Sequence, residues 1–246
     1  MIDVTNFKIT TATKKDNYAK FEIAPLPTGY GLTLGVPLRR VLLSSLEGLA
    51  ITEAKIAGIK HEYSAIPGVK EDALKIIFNL KKVIFQGSLT SKKPHTLTLN
   101  GKGKKIITAG DIKTDGEVEI VNPEQIIAEL TASTAKLDIE LTVESGVGYR
   151  LADDEKRTKI GLIPVDANFS PIERVSVERV STRVGQETDL DKLVIEIWTR
   201  TQNSAEECLN KAAKIVLEAF TNVVSMTASA EELEEKPRAK KKTVKK

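Results

Sequence analysis

Residues 28–46 read TGYGLTLGVPLRRVLLSSL, a glycine-rich turn followed by apolar residues at three- and four-residue spacing. This spacing predicts a helix through Ser45 with one apolar face. The residues of that face are Leu34, Leu38, Val41, Leu42 and Leu46. Glu47 and Gly48 are predicted to end the helix, because glycine is common just after the last helical turn.

Segments before this helix and near the other end of the chain are predicted to be β-strands. Residues 19–24 place apolar side chains on one face and charged ones on the other, as a half-buried strand requires. Pro25 and Pro27 are predicted to end that strand, because proline cannot donate to a β-ladder. Residues 175–177 and 193–197 show the same alternation near the other end of the chain.

A second long helix is predicted after residue 204. The sequence SAEE at 204–207 matches a capping box, in which the serine hydroxyl accepts a hydrogen bond from the third helical amide. An apolar stripe follows, and its residues are Cys208, Leu209, Ala212, Ala213, Val216, Phe220, Val223 and Val224. The apolar pattern ends after Met226, where charged residues take over.

The middle of the chain has a different texture, with short strands and glycine turns from about residue 49 to residue 170. Residues 137–144 alternate strictly, and residues 96–99 predict a second strand. Residues 73–80 have helical spacing and follow an acidic pair that suits a helix N-terminus. The change of texture indicates a β-rich region between the two outer segments of the chain.

Composition excludes several classes of protein. The chain has 246 residues, of which 41% are hydrophobic and 29% charged, and no apolar run approaches the ~20 residues of a membrane span. The single Cys208 excludes an internal disulfide, and only two histidines accompany it, too few for a zinc site. The first residues have no export signal, so a cytoplasmic location is expected.

The positive charge is concentrated at the end of the chain. The net charge is +3, and residues 231–246 alone contain seven Lys or Arg and four Glu. The remaining residues therefore carry equal numbers of basic and acidic groups, which argues against a body built to coat nucleic acid. We expect the tail to bind DNA weakly and without sequence preference, or to act only as a solubilising segment.

Candidate catalytic and ligand sites are poorly supported. Gly29, Gly31 and Gly35 have the wrong spacing for a nucleotide loop, so a turn into a helix is the better interpretation. His61-Glu62 matches half of a zinc-protease motif, but Ala65 stands where the second histidine is required. Asp153-Asp154-Glu155 is interpreted as a solvated loop. We expect no catalytic residue, metal site or cofactor in this chain.

Arg39-Arg40 lies in the middle of the first long helix, beside its apolar face. Two interpretations remain open from the residues alone. The pair either forms a solvated face whose aliphatic stems cover apolar surface or binds a partner. The two long apolar helix faces, for their part, predict self-association.

Separated motifs occur in one order along the chain. They are GYGLTLG at 29–35 with LRRVLLSS at 38–45, HEYS at 61–64 with GVKED at 68–72, NLK at 79–81, VDA at 165–167 with SPIER at 170–174, and TDLDKLVIE at 188–196. Together they resemble the amino-terminal domain of the alpha subunit family of bacterial DNA-directed RNA polymerase. The resemblance covers roughly residues 7–226.

The resemblance implies an α+β fold with a discontinuous dimerisation subdomain. Residues 1–48 and 172–228 would form this subdomain, a sheet plus two long helices. Residues 49–171 would form an inserted β-rich subdomain, and residues 229–246 a disordered charged tail.

The resemblance also implies a role in assembly. Alpha dimers of this family are not catalytic, and they initiate assembly by binding the beta subunit with one protomer and beta-prime with the other. Sigma joins in the holoenzyme, and DNA is bound by the assembled enzyme. The implied dimer interface contains Leu34, Leu38, Val41, Leu42, Leu209, Ala213, Val216, Phe220 and Val223. The implied beta contact is Arg39, Arg40 and Leu43, and the implied beta-prime contact is Lys81, Val165, Asp166, Glu173 and Arg174.

Three features depart from the family pattern. Val36 and Pro37 stand where the family usually has Asn and Ala, so the helix start is expected to shift and to lose a side-chain cap. The family normally continues into a carboxy-terminal domain that binds promoter DNA, and we expect this chain to lack it.

The alternative function is a free-standing homodimeric interaction module that has lost the polymerase.

Overall fold

Two separate hydrophobic cores form in this chain, and each is built on its own sheet. The computed structural model describes residues 7–15, 17–59, 61–87, 94–114, 116–152, 161–185, 187–200 and 203–234. One core, which we term the flanking core, takes its buried side chains from residues 19–46 and 172–212. The other, the central core, takes them from residues 51–165. The central core is therefore nested in sequence between the two parts of the flanking core.

The helices and strands alternate along the chain in the following order. They are β1 Lys8–Lys15, β2 Tyr18–Pro27, α1 Tyr30–Ser44, β3 Glu47–Ile56, α2 Ala73–Leu80, β4 Phe85–Gly87, β5 His95–Lys102, β6 Lys105–Thr108, β7 Ile112–Lys113, β8 Val118–Ile120, β9 Ile126–Leu130, β10 Lys136–Val147, β11 Tyr149–Arg150, β12 Leu162–Pro164, β13 Ala167–Asn168, β14 Ile172–Val184, β15 Glu187–Thr199 and α3 Ala205–Glu234. A 3-10 turn at Ala109–Asp111 precedes β7.

The flanking core has a four-stranded antiparallel sheet in the order β1-β2-β15-β14. Strand β15 is central, and its residues Leu193, Ile195 and Ile197 are completely buried. Because successive side chains of a strand point to opposite faces, these residues lie on one face, where they pack with residues of α1 and α3. The sheet thus brings the two ends of the chain together beneath the two long helices.

The central core has a larger sheet in the order β7-β5-β10-β3-β4-β8, with β12 paired to β3. The predicted strands at 137–144 and 96–99 are confirmed as parts of β10 and β5. The predicted helix at 73–80 is confirmed as α2, and the Asp72 side chain caps it by accepting a hydrogen bond from the Lys75 amide at 2.8 Å. The α+β class predicted from the sequence is therefore confirmed.

Two predictions about the ends of helix α1 were wrong. It begins at Tyr30, and Pro37 lies in its interior, so Pro37 does not shift the helix start. The helix ends at Ser44, and Glu47 begins strand β3 instead of closing the helix. The early start is possible because a side chain from another strand caps the helix, as described below.

Strand β2 also differs from its prediction, because it continues through Pro25 to Pro27. Its pairing with β1 starts at Ala24, opposite Lys8, whereas its pairing with β15 continues to Pro27, opposite Leu190. Beyond Ala24 the strand has a paired neighbour on one side only, and proline is tolerated where one side of a strand is free.

Helix α3 begins as predicted and continues further than predicted. The Ser204 hydroxyl accepts a hydrogen bond from the Glu207 amide at 3.2 Å, which confirms that half of the capping box. The helix continues to Glu234, so residues 229–234 of the expected disordered tail are helical. Alanine, glutamate and leucine, which favour helix, are frequent in that segment. Residues 235–246 lie outside the described part of the chain.

A small third cluster lies where the chain passes between the two cores in sequence. It contains Ala50, Ala167 and Phe169. Phe169 is 3% exposed, its amide donates to the Gly148 carbonyl at 2.9 Å, and the Arg150 guanidinium lies 5.2 Å from its ring centroid. The aromatic ring is therefore fixed where the chain passes from the central core to the flanking core.

Candidate functional site

The glycine-rich turn before α1 is bonded to a carboxylate of β15. Gly29 has a φ of 88°, a left-handed conformation that glycine adopts without strain. The Oδ2 atom of Asp191 accepts hydrogen bonds from the amides of Gly29 at 2.8 Å and Gly31 at 3.3 Å. A carboxylate thus occupies the amides that a phosphate would need. The turn interpretation is confirmed over the nucleotide-loop interpretation.

An open apolar groove of about 260 Å³ lies between α1 and α3. Its walls include Pro37, Arg40 and Val41 of α1 and Val216, Phe220 and Val223 of α3. The resemblance assigned four of the groove residues to a dimer interface, namely Val41, Val216, Phe220 and Val223. The structure thus brings Val41 of α1 together with three residues of α3 that are distant in sequence.

The outer half of α3 exposes large apolar side chains along one face. Leu217 and Val224 are each 67% exposed, and Phe220 and Val223 are each 59% exposed. Ala213 and Leu217 face a second groove, of about 480 Å³, on the side of α3 next to Ile9 of β1. Contiguous apolar surface of this kind marks interaction sites in soluble proteins.

Four of the expected interface residues have a different place. Leu42 is completely buried and Leu209 is 9% exposed, and both belong to the flanking core of their own chain. Leu34 and Leu38 are half-buried against the same core. Leu42 and Leu209 therefore pack α1 and α3 onto the flanking sheet.

The expected beta contact is an exposed patch on α1. Arg39 and Arg40 are exposed, and neither side chain forms an ion pair with any of the described residues. Leu43 is 37% exposed and lies one helical turn further along. Val36, 56% exposed, continues this patch toward the helix start. Two free guanidinium groups beside exposed apolar carbon form a surface suited to carboxylates or carbonyls of a partner.

Two residues of the expected beta-prime contact, Lys81 and Asp166, form an ion pair at the border of the central core. The Lys81 Nζ atom lies 2.8 Å from Asp166 Oδ2, and the Ala152 amide donates to Asp166 Oδ1 at 2.8 Å. The hydrogen bond from Lys81, followed by that from Ala152, lowers the pKa of Asp166. Val165, in contrast, is 4% exposed, and its side chain is buried in the central core.

The rest of the expected beta-prime contact lies on the flanking sheet, at the start of β14. Glu173 and Arg174 are exposed there, and the Arg174 guanidinium stacks 3.7 Å from the ring centroid of Trp198. The Trp198 ring lies 5.0 Å from the ring of Tyr18, whose hydroxyl donates to Glu196 at 2.8 Å. This hydrogen bond is the main cause that raises the pKa of Tyr18. The result is a half-exposed row of one arginine and two aromatic rings across three strands.

Several residues of these surfaces were not anticipated from the sequence. Leu217 follows Ala213 by four residues, a spacing that could have revealed it. Trp198 could have been noticed as the only tryptophan of the chain. No sequence signal joins Asp191 to Gly29, because the two residues are 162 positions apart.

The remaining candidates are His61, Cys208 and the acidic run at 153–155. His61 is exposed, and its Nδ1 atom lies 3.1 Å from the Ser64 hydroxyl. Burial raises the pKa of the Cys208 thiol, which keeps it protonated. The acidic run at 153–155 lies outside the described residues. Within the described ranges, none of the helices is long and apolar enough to span a membrane.

Comparison with known proteins agrees with this arrangement. Residues 54–170 match the family described as the RNA polymerase Rpb3/RpoA insert domain. The chain is 44% identical over 229 residues to the DNA-directed RNA polymerase subunit alpha of Moorella thermoacetica, covering 92% of this chain and 72% of that protein. It is 45% identical over 238 residues to the subunit of the same name from Symbiobacterium thermophilum, covering 95% and 75%.

The matched insert domain coincides closely with the residues of the central core, and the longer alignments also include the helices and strands of the flanking core. The chain belongs to the family of DNA-directed RNA polymerase alpha subunits.

Proposed function

We propose that this chain is a homodimeric scaffold that recruits the beta and beta-prime subunits of a cytoplasmic DNA-directed RNA polymerase. It supports nucleotidyl transfer without supplying catalytic residues or a cofactor of its own. Sigma joins the completed assembly, which engages the DNA template.

The observation that carries this proposal is the uncovered apolar surface of α1 and α3. Phe220 and Val223 are each 59% exposed and border the groove between the two helices. Obligate dimers commonly bury ~2,000 Å² or more of largely apolar surface. A second copy of the same two helices is a self-complementary cover, because a two-fold axis pairs each patch with itself.

A homodimer presents two copies of every surface outside the dimer interface. The beta and beta-prime subunits can therefore bind to different surfaces of the dimer. The free guanidinium groups of Arg39 and Arg40 make the outer face of α1 the proposed beta contact. Since this face and the apolar groove adjoin at Arg40, the beta subunit would bind at the edge of the dimer interface.

The beta-prime contact is proposed at the surface that includes Glu173, Arg174 and Trp198, with the ion pair of Lys81 and Asp166 as a second point. Arginine, tryptophan and tyrosine are the residues most enriched at the energetic centres of interfaces. The stacked Arg174 is already ordered by Trp198, so little side-chain entropy is lost on binding.

Native mass spectrometry of this chain, alone and after co-expression with beta and beta-prime, tests the proposal. We expect a dimer for the isolated chain at micromolar concentration. With the large subunits we expect two copies of this chain and one copy of each partner. A stable monomer, or a dimer that binds neither large subunit, would contradict the proposal, and the latter result would favour the free-standing module.

A further inference from the structure

Asp191 is the most deeply buried carboxylate among the described residues, with 2% exposure. Its Oδ2 atom accepts from the amides of Gly29 and Gly31, and the Arg179 guanidinium donates to Oδ1 at 3.4 Å. These donors come from the N-cap and first turn of α1 and from β14, whereas the carboxylate belongs to β15. The contact therefore joins three elements at one point.

Helix α1 has no cap from its own sequence. Its N-cap residue is Gly29, which has no side chain, and no acidic residue lies in its first turn. The first amides of a helix have no partner within the helix, and an acidic group near them is favourable. Asp191 fills this role from a position 162 residues further along the chain.

The fit around this contact leaves little room for another position of α1. A Cβ atom at Gly31 would lie 3.0 Å from Arg179 Cγ and 3.2 Å from Asp191 Oδ2. A Cβ atom at Gly35, one turn later, would lie 2.6 Å from Val177 Cγ1. The helix thus lies directly on β14 and β15. Asp191 fixes the N-terminal end of α1 on these strands.

We propose that Asp191 is a positioning residue for subunit recruitment: it holds α1 so that Arg39, Arg40 and Leu43 present one surface to the beta subunit. The proposal rests on the proposed function. Its consequence is that the beta-binding surface, encoded near the start of the chain, becomes competent only after β15 has been added to the sheet. An incomplete or misfolded chain would then be unable to capture a large subunit.

The test compares Asp191→Ala and Asp191→Asn with a matched control, Asp189→Ala, in the full-length dimer. Asp189 is an exposed carboxylate two positions away on the same strand. Ile195→Val serves as a second control, because it weakens the flanking core in a completely buried position of β15 without touching the turn. Hydrogen exchange of residues 29–44 and affinity for the beta subunit are measured for each variant.

We expect Asp191→Ala to accelerate exchange in residues 29–44 at least tenfold, to leave exchange in α2 unchanged, and to weaken beta binding at least tenfold. Asp191→Asn, which keeps one acceptor oxygen for the glycine amides, should recover part of both losses. Both controls should bind beta as the wild type does. If Ile195→Val weakens beta binding as much as Asp191→Ala, the effect is general instability and the proposal is wrong.

The proposal would also be overturned if Asp191→Ala exchanged its amide hydrogens and bound the beta subunit as the wild type does. A wild-type chain that binds no beta subunit refutes the proposed function instead, and in that case accelerated exchange in the variant would still show that Asp191 holds α1, without any role in recruitment.

Discussion

The backbone of Gly48 lies against the carbonyl of Phe169 so closely that a Cβ atom at position 48 would be 1.9 Å from that oxygen. Gly48 belongs to β3, just after the first part of the flanking core in sequence, and Phe169 belongs to the small third cluster. The contact sets the distance between the strand that leaves one core and the segment that returns to it.

Gly48→Ala should therefore destabilise the protein by about 2 kcal/mol or more, since crowding a packed site forces backbone movement. Urea unfolding measures the loss. Gly110→Ala is the control, because its Cβ atom would be 3.4 Å from Pro123 and fits with minor adjustment. Equal unfolding midpoints for Gly48→Ala and the wild type would show that the joint is looser than described.

Phe220→Asp should convert the dimer into monomers. The substitution replaces an aromatic ring of the groove with a carboxylate, and removing that charge from water on association is costly. Thr221→Asp is the matched control, because Thr221 is the next exposed residue of α3 and is not part of the groove wall. Sedimentation velocity at micromolar concentration distinguishes the two, and a Phe220→Asp dimer as stable as the wild type would rule out this face. Val216→Asp should act in the same way.

Arg40→Ala should preserve the dimer and reduce recruitment of the beta subunit at least tenfold. Arginine forms bidentate contacts that alanine cannot replace, and Arg40 has no ion pair within the described residues whose loss would unfold the chain. Arg183→Ala, an exposed arginine near the far end of β14, is the control. If Arg40→Ala recruits beta as the wild type does, Arg39-Arg40 is a solvated helix face.

Exchanging the charges at the start of β14, by Glu173→Lys with Arg174→Glu, should stop the complex of this chain and beta from acquiring beta-prime. The change removes the stacking of Arg174 on Trp198 and inverts the local charge pattern, so that like charges now oppose the partner. Gel filtration of the reconstituted subunits shows whether the core enzyme is completed. Undiminished completion would exclude this part of the surface.

Lys81→Met should make the free energy of unfolding depend less on pH in the acidic range. Because Lys81 lowers the pKa of folded Asp166, the ionised carboxylate favours the folded chain above its unfolded pKa, near ~4. This contribution is lost as the pH falls through the lowered folded value. We expect a loss of ~1 kcal/mol at pH 7 and a smaller difference from the wild type at pH 3. Lys75→Met, at an exposed position of α2 without an ion pair in the described ranges, should change neither value.

Periodicity was sufficient for the elements whose environment is uniform along their length. Strand β10 alternates because one face covers the central core, and α2 shows a single apolar stripe for the same reason. Sequence reasoning failed where one element faces two environments. Leu42 and Phe220 have the same apolar character, yet Leu42 is buried in its own chain and Phe220 is 59% exposed.

Long-range contacts were the second limit. The start of α1 could not be placed from residues 28–46, because its cap is Asp191, and Pro37 was misjudged as a start signal for the same reason. Val165 shares a motif with Asp166, but alternation along the chain buries Val165 and leaves Asp166 at the border of the core. The motif therefore did not distinguish the two side chains, because their burial is decided by the fold.

The nesting of one core inside the other also has a consequence for synthesis on the ribosome. The central core has all its side chains once Val165 has been made, whereas the flanking core must wait for Ala212. At ~5–20 residues per second, that delay is roughly 2–9 s. For most of this interval, until β15 is complete at Thr199, β2 and α1 are already synthesised but lack the central strand on which both lie. Their apolar faces are then exposed to the surrounding solution. The first-made part of the chain is thus the last to be protected, and this interval is when the nascent subunit is most vulnerable to premature association.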